Sequence, residues 1–265
     1  VGEHEGLLDA IGKPGSLSVQ FQPVLDVRGL RIRTHYLEAL VRGPRGTALE
    51  PPAILFDHAR KQNQEAAVDR ACLEAIFAAA SVFPPEAMLG VNVHASSLAR
   101  DEGLVDFLAA QLARRQLSAR RLIVEIVEHA PPWDVVTFRT ALKRLRGLGA
   151  RIALDDVGLG QSNYMMVVEC LPDYLKVDRY FVAGCHRDFH RKAVLASIAH
   201  LARPFGARVV AEGVEQVADL VVLKRLGISL VQGFLFGGPA PAAELVSCPR
   251  RAEREARGER RRARR

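Results

Sequence analysis

The sequence predicts an α/β fold, a modified TIM (β/α)8 barrel with one antiparallel strand from an initial hairpin. Three observations predict it. Eight short runs rich in β-branched residues lie between positions 17 and 236. At least five helical patterns separate the later runs, and strand–helix alternation of that length builds a parallel sheet covered by helices. The first two runs are separated only by Arg28, Gly29 and Leu30, which reads as a hairpin. An open doubly wound sheet is the competing fold, but no Gly-rich phosphate loop follows the first strand.

In chain order, the hairpin strands are LSVQFQPVLDV (17–27) and RIRTHYLEALV (31–41). Two helical patterns follow, over 51–61 and 65–81. The third strand is AMLGVNVH (87–94), then a helix over 103–115, and the fourth strand is RLIVEIVE (121–128). The helix over 134–148 starts at Asp134, a good N-cap, and stops near Gly147 and Gly149. Strand RIALDDV (151–157) and strand YLKVDRYFV (174–182) come next. A helix over 189–205, strand ARVVAEGV (207–214), a helix over 217–227 and strand SLVQGFLF (229–236) complete the pattern.

The 265 residues are 49% hydrophobic and 25% charged, ordinary globular usage that excludes global disorder. The net charge of +7 is unevenly placed. Residues 250–265 hold nine Arg and three Glu, a net of +6, which leaves +1 for residues 1–249. The basic character is therefore that of the tail, and no nucleic-acid partner is expected for the body. The organisation predicted is a lead-in over 1–16, a barrel over 17–249 and a disordered basic tail over 250–265. Cys72, Cys170, Cys185 and Cys248 form no CxxC pair, so they read as reduced, packed thiols. No apolar run reaches the ~18 residues of a membrane span, and no signal-peptide pattern opens the chain. A cytoplasmic location is expected. The chain begins at Val1, so it reads as a fragment of a longer protein, with a sensory or regulatory domain expected upstream.

The strands turn polar near their C-terminal ends. They deliver Glu38, Asn92, Glu125 with Glu128, Asp155 with Asp156, Lys176 with Asp178, Glu212 with Glu215, and Gln232. In a parallel barrel those ends share the face where active sites are built. One or two such carboxylates are explained as helix caps, but five strands each delivering at least one are not. Unpaired carboxylates inside a barrel cost several kcal/mol, so the set calls for cations. Glu38, Asn92, Glu125 and Asp155 offer only oxygen, which suits Mg2+ or Mn2+ rather than zinc. The adjacent Asp156 suggests a second ion ~3.5–4 Å from the first. Two ions with Lys176 and an arginine make a phosphodiester-cleaving arrangement.

These residues sit in motifs that resemble the EAL-domain cyclic-di-GMP phosphodiesterases. The motifs are FQPVLDV (21–27), EALVRGP (38–44), VNVHASSL (91–98), VEIVE (124–128), LDDVGLGQS (154–162), LKVDRYFV (175–182), VVAEGVE (209–215) and VQGFLFGGPAP (231–241). The resemblance implies first-metal ligands at Glu38, Asn92, Glu125 and Asp155. It implies Asp156 and Asp178 at the second metal, with Glu212 supporting that ion and its water. Lys176 would hold or deprotonate the attacking water, Arg42 would grip substrate near a phosphate, Gln232 would be a site residue, and Glu128 would anchor the loop after Asp156. It further implies a homodimer, and hydrolysis of cyclic-di-GMP to linear pGpG. The alternative reading is a receptor that binds cyclic-di-GMP and signals by conformation.

Three departures from the family pattern bear on rate. His94 stands where Ser is usual, Val127 stands where Thr is usual, and Val157 with residues 163–164 departs from Phe-Gly-x-Gly-x-Ser-Ser-Leu. The altered loop is expected to slow turnover more than it weakens binding. Outside this set, Glu215 reads as a helix cap and Trp133 as a packing anchor. His186 and His190 read as a solvated helix start rather than a metal pair. Tyr164, Met165 and Met166 are equally an interaction patch or core, and His94 is open between a site contact and a cap.

Overall fold

The computed structural model describes residues 6–13, 15–29, 32–127, 134–158 and 164–247. Eight strands close into a barrel in sequence order: β1 (Ser18–Asp26), β2 (Arg33–Arg42), β3 (Leu89–His94), β4 (Leu122–Val127), β5 (Arg151–Val157), β6 (Tyr174–Val177), β7 (Arg208–Ala211) and β8 (Leu230–Val231). β1 runs antiparallel to both its neighbours, pairing Gln22 with Glu38 on β2 and Leu25 with Val231 on β8. The other pairs are parallel. The hairpin read from the sequence thus supplies the odd strand, and the same strand closes the barrel.

The helices are α1 (Leu7–Gly12), α2 (Pro52–Lys61), α3 (Glu65–Ala79), α4 (Ala95–Arg100), α5 (Leu104–Arg114), α6 (Val135–Gly147), α7 (Tyr164–Cys170), α8 (Arg179–Val182), α9 (Phe189–Ala202), α10 (Val217–Arg225) and α11 (Ala242–Ser247). Asp134 caps α6 as expected, its side chain accepting from the Val136 N–H. The six-residue α4 and seven-residue α7 are too short to show a 3.6-residue period, which is why the sequence does not announce them.

The expected strand over 174–182 is corrected. Its apolar and aromatic run reads as extended, but the Asp178 carboxylate accepts from the Tyr180 N–H, ends the ladder and starts α8. The runs over 207–214 and 229–236 pair over only four and two residues; beyond them the chain bends at Gly213 (φ 63°) and Gly233 (φ 154°). A Cβ at Gly233 would lie 2.2 Å from the Val214 carbonyl oxygen, so that crossing needs glycine.

Strand alternation divides the core in two. Outward side chains such as Phe21, Val91, Ile126 and Leu154 pack beneath helices through Leu73, Phe77, Phe138 and Leu142. Inside the barrel lie Val24, Tyr36, Ile123, Ala153, Tyr174, Val210 and Leu230. The inner positions one step further along the same strands are polar, and they form the site. Among the described residues no helix is long and apolar enough to cross a membrane.

Candidate active site

Lys176 stands at the centre of the barrel mouth with 1% of its surface exposed. Its Nζ lies 2.5 Å from Glu125 Oε2, 2.8 Å from Glu212 Oε1, 3.1 Å from Asp155 Oδ1 and 3.2 Å from Glu38 Oε1. Four strands therefore aim a carboxylate at the ammonium delivered by a fifth. Gln232 follows β8 and donates from Nε2 to Glu38 Oε2 at 2.7 Å. Asn92 Nδ2 lies 3.5 Å from Glu38 Oε1. All six reach Lys176 or Glu38 because they occupy inward positions at the mouth ends of their strands, Glu212 and Gln232 one residue past β7 and β8.

The electrostatics follow from burial. Desolvation alone would push the Lys176 ammonium toward neutrality, but Asp155, Glu125, Glu212 and Glu38 together hold its pKa well above the usual lysine value. One ammonium does not balance four carboxylates. Burial, and then the charge of Glu38, push Glu125 up to about 8. Burial also carries Glu212 well above the carboxylate range against the pull of Lys176. Burial, then Asp155 and Asp178, raise Asp156 to about 6. The cluster carries more negative charge than its own cation neutralises, which is the condition for taking up further cations.

The donor set fits a hard divalent metal. Asp155, Asp156 and Glu212 each place a carboxylate oxygen within 4.8 Å of the others. Asn92 Oδ1 and Glu125 Oε1 are buried with no hydrogen-bond partner among the described residues, an expensive condition unless they serve as ligands. Every donor is oxygen. Asp156 sits at φ 52°, in the left-handed region that a non-glycine residue adopts at a cost of order 1 kcal/mol or more. That turn gives adjacent Asp155 and Asp156 different directions while their carboxylates stay close.

The remaining sequence-predicted residues are placed as follows. Arg42 ends β2 four residues beyond Glu38 and shares its face, about 13 Å further out by strand rise; Nη1 makes only a 3.4 Å contact with the Val41 carbonyl. Asp178 is partly exposed, and one of its oxygens is engaged as the α8 cap. Glu128, Trp133, most of the loop after Asp156 and the Arg-rich tail lie outside the described residues. Val157 is buried in the core, and the Phe181 ring lies where a Cβ on Gly158 would be, at 2.8 Å.

His94 precedes α4 without capping it through its side chain. It is buried, its Nδ1 lies 2.9 Å from Asp69 Oδ1 on α3, its backbone N–H donates to Asp69 Oδ2, and its ring meets Phe56 of α2 at 4.6 Å. The His186–His190 pair does not assemble: His186 binds Asp219 at 2.7 Å, while His190 is almost fully exposed. Glu215 pairs with Arg179 at 3.3 Å instead of capping α10. Tyr164 and Met165 are exposed and Met166 is buried, so that triplet is divided between patch and core.

Sequence reasoning missed Gly90. A Cβ there would stand 2.2 Å from Glu125 Oε1 and 2.7 Å from Tyr36 Cε2. Its hydrogen makes the space that lets the Glu125 carboxylate reach Lys176. A glycine between apolar residues, two positions before Asn92, was the available signal.

A family model described as EAL domain matches residues 4–239. The chain belongs to the EAL-domain family. The cyclic di-GMP phosphodiesterase NbdA of Pseudomonas aeruginosa is 32% identical over 237 residues, 86% of this chain and 30% of that protein. Among solved structures, the EAL domain resembles Klebsiella pneumoniae BlrP1 in a manganese/cyclic-di-GMP complex (TM-score 0.75, 29% identity, 86% of this chain and 57% of that one). It also resembles the phosphodiesterase PaMucR in complex with c-di-GMP (TM-score 0.75, 29% identity, 87% and 94%). This EAL domain spans between 22% and 37% of the length of the curated relatives it matches.

Proposed function

We propose that the EAL domain hydrolyses one phosphodiester bond of cyclic-di-GMP to give linear pGpG, using two divalent cations, Mg2+ or Mn2+. The observation that carries this reading is the cluster of four carboxylates around buried Lys176, with Asp156 close to Asp155 and Glu212 and with buried Asn92 Oδ1 and Glu125 Oε1 left without hydrogen-bond partners among the described residues. Glu38, Asn92, Glu125 and Asp155 are the ligands proposed for one cation; Asp156, Asp178 and Glu212 are those proposed for the other. Bound divalent cations supply Lewis-acid polarisation of the phosphoryl group and of the attacking water.

The chain's own residues do the rest. Lys176 is held protonated, so it acts as a hydrogen-bond donor that orients the nucleophilic water and stabilises charge developing on the phosphoryl oxygens. Glu212, at 2.8 Å from that ammonium, is placed to accept the proton the water loses. Gln232 fixes Glu38 through its 2.7 Å hydrogen bond. Arg42, half-buried on the mouth side of Glu38, offers a guanidinium to a substrate phosphate. Burial of the cluster keeps bulk water from screening these charges.

The departure at Val127, which lacks the hydroxyl of the usual threonine, supports slow or regulated turnover, with a receptor role as the limit of that trend. The reading includes a homodimer: α7 turns Tyr164, Met165 and Val168 toward solvent, apolar surface that a second copy would cover. It also includes a sensory or regulatory domain elsewhere in the full protein.

The test compares wild type with Glu38→Ala for cyclic-di-GMP binding and turnover in Mn2+. The reading requires metal-dependent pGpG release by wild type and none by the variant. Undiminished hydrolysis by Glu38→Ala would overturn the metal mechanism, and tight binding without turnover by wild type would establish the receptor.

A further inference from the structure

Near-neutrality over residues 1–249 hides two poles. The mouth holds the carboxylate cluster. The opposite end, where β2–β8 begin and β1 finishes, is built from the segments that precede each strand. The described residues of 26–33, 84–88, 115–121, 148–151, 171–173, 203–208 and 225–229 contain nine arginines against three carboxylates, Asp26, Glu86 and Asp173.

Contacts around the ring show that these segments form one continuous face. Arg208 Nη2 donates to Asp26 Oδ2 at 2.8 Å, joining β7 to the end of β1. Arg121 donates to the Pro84 carbonyl at 3.0 Å, and Arg151 reaches Met88 Sδ at 3.2 Å. Asp173 accepts from the Ile152 N–H at 2.8 Å. Arg28, Arg121, Arg151 and Arg208 are thus engaged with the protein itself.

Arg33, Arg120, Arg203 and Arg225 are different. Each is exposed, and none has a carboxylate partner among the described residues. Complementing a helix C-terminus accounts for Arg203 and Arg225, at the ends of α9 and α10. It does not account for Arg33, which opens a strand, or for Arg120, which sits in a single tight turn before β4. Val82 and Leu148 stand exposed on the same rim.

We propose that this end of the barrel docks on an anionic lipid surface, with Arg33, Arg120, Arg203 and Arg225 against headgroups and Val82 and Leu148 in the interfacial layer. Unpaired cations matched to an anionic plane, interleaved with exposed aliphatic side chains, suit a bilayer. A nucleic acid would use the cations alone, and the one aromatic ring of these segments, Phe205, packs against the core rather than standing free to stack on bases. Docked this way, the barrel turns its mouth to the aqueous phase, where a soluble nucleotide arrives.

The test is co-sedimentation of the full chain with vesicles of equal parts phosphatidylcholine and phosphatidylglycerol, against phosphatidylcholine alone. Wild type, an Arg33→Ser/Arg120→Ser/Arg203→Ser/Arg225→Ser variant and a chain ending at Pro249 are compared. The proposal expects binding to the anionic vesicles only, weakened by salt and kept when residues 250–265 are removed. Each arginine is worth roughly fivefold at the surface, so the quadruple variant should bind on the order of a hundredfold or more weakly. Its thermal melting should fall by no more than a few degrees, because all four side chains are exposed and only Arg203 and Arg225 complement helix ends. Equal binding by the variant, loss on removing 250–265, absence of vesicle binding, or arginine-dependent capture of duplex DNA in place of vesicles would each overturn it.

Discussion

Substituting Gly90 by alanine isolates the geometry of the carboxylate cluster from its chemistry. No charged or polar group is removed, and Gly90 has no left-handed φ, so alanine adopts its backbone without strain. The new methyl would lie 2.2 Å from Glu125 Oε1, where an ordinary heavy-atom contact is about 3.5 Å. The carboxylate must then retreat by about 1 Å, because Tyr36 at 2.7 Å closes the other side. Overpacking of this kind costs about 1–3 kcal/mol, and the gain from a less flexible unfolded chain returns less than about 1 kcal/mol. A loss of about 1–2 kcal/mol in stability is expected. Displacing a ligating group by about 1 Å costs on the order of a hundredfold in rate. The assay is steady-state hydrolysis of cyclic-di-GMP in saturating Mn2+, with urea unfolding alongside. Gly147→Ala is the control, since a Cβ there meets nothing within 4 Å, and it should be neutral or slightly stabilising. Full activity in a stably folded Gly90→Ala would refute the claim that this glycine positions Glu125.

Lys176→Ala should lower kcat at least a hundredfold with little change in KM, as expected for a group that acts on the water and developing charge. The same variant leaves buried Glu38 and Glu125 and half-buried Asp155 and Glu212 without their ammonium, so metal-free protein should lose about 3 kcal/mol and Mn2+ should restore more of its melting temperature than it adds to wild type. His94→Ala abandons the buried Asp69 carboxylate and should cost about 3 kcal/mol in urea unfolding, with the loss reduced in His94→Ala/Asp69→Ala. His35 is held down at about 4, first by burial and then by Arg208, against about 6.5 in the unfolded chain. Between those values the unfolded state binds the additional proton, so stability should fall as pH drops from about 6.5 to about 4. His35→Gln should flatten that part of the urea-midpoint profile, and an unchanged slope would show that another group titrates there.

Much of the fold was legible because each strand carries its own signature: a short β-branched run that becomes polar at its C-terminal end. That signature by itself places Glu38, Asn92, Glu125, Asp155, Lys176 and Glu212 at one mouth. The hairpin at 28–30 gave the antiparallel strand because too few residues separate the two runs for a crossover. Other features depend on contacts between distant segments. Nothing local says that Lys176 lies within 3.2 Å of four carboxylates from four other strands. Asp178 looks like one more strand-end acid until its side chain is seen to capture the Tyr180 N–H. Val157 looks like a loosened loop residue in a family that uses an aromatic there, yet it is buried, with Phe181 beside the next residue. The surplus of arginines over carboxylates at the strand-start end was invisible because those residues come from segments scattered along the chain, which only the closed barrel brings to one end.

Hydrolysis of cyclic-di-GMP by the purified wild-type chain, followed by chromatography of the nucleotide products in Mn2+, in Mg2+ and in excess chelator, tests the central claim most directly. The account predicts linear pGpG with either metal, at a low rate, and no product with chelator. Turnover that persists in chelator, or intact cyclic-di-GMP under both metals, would contradict it.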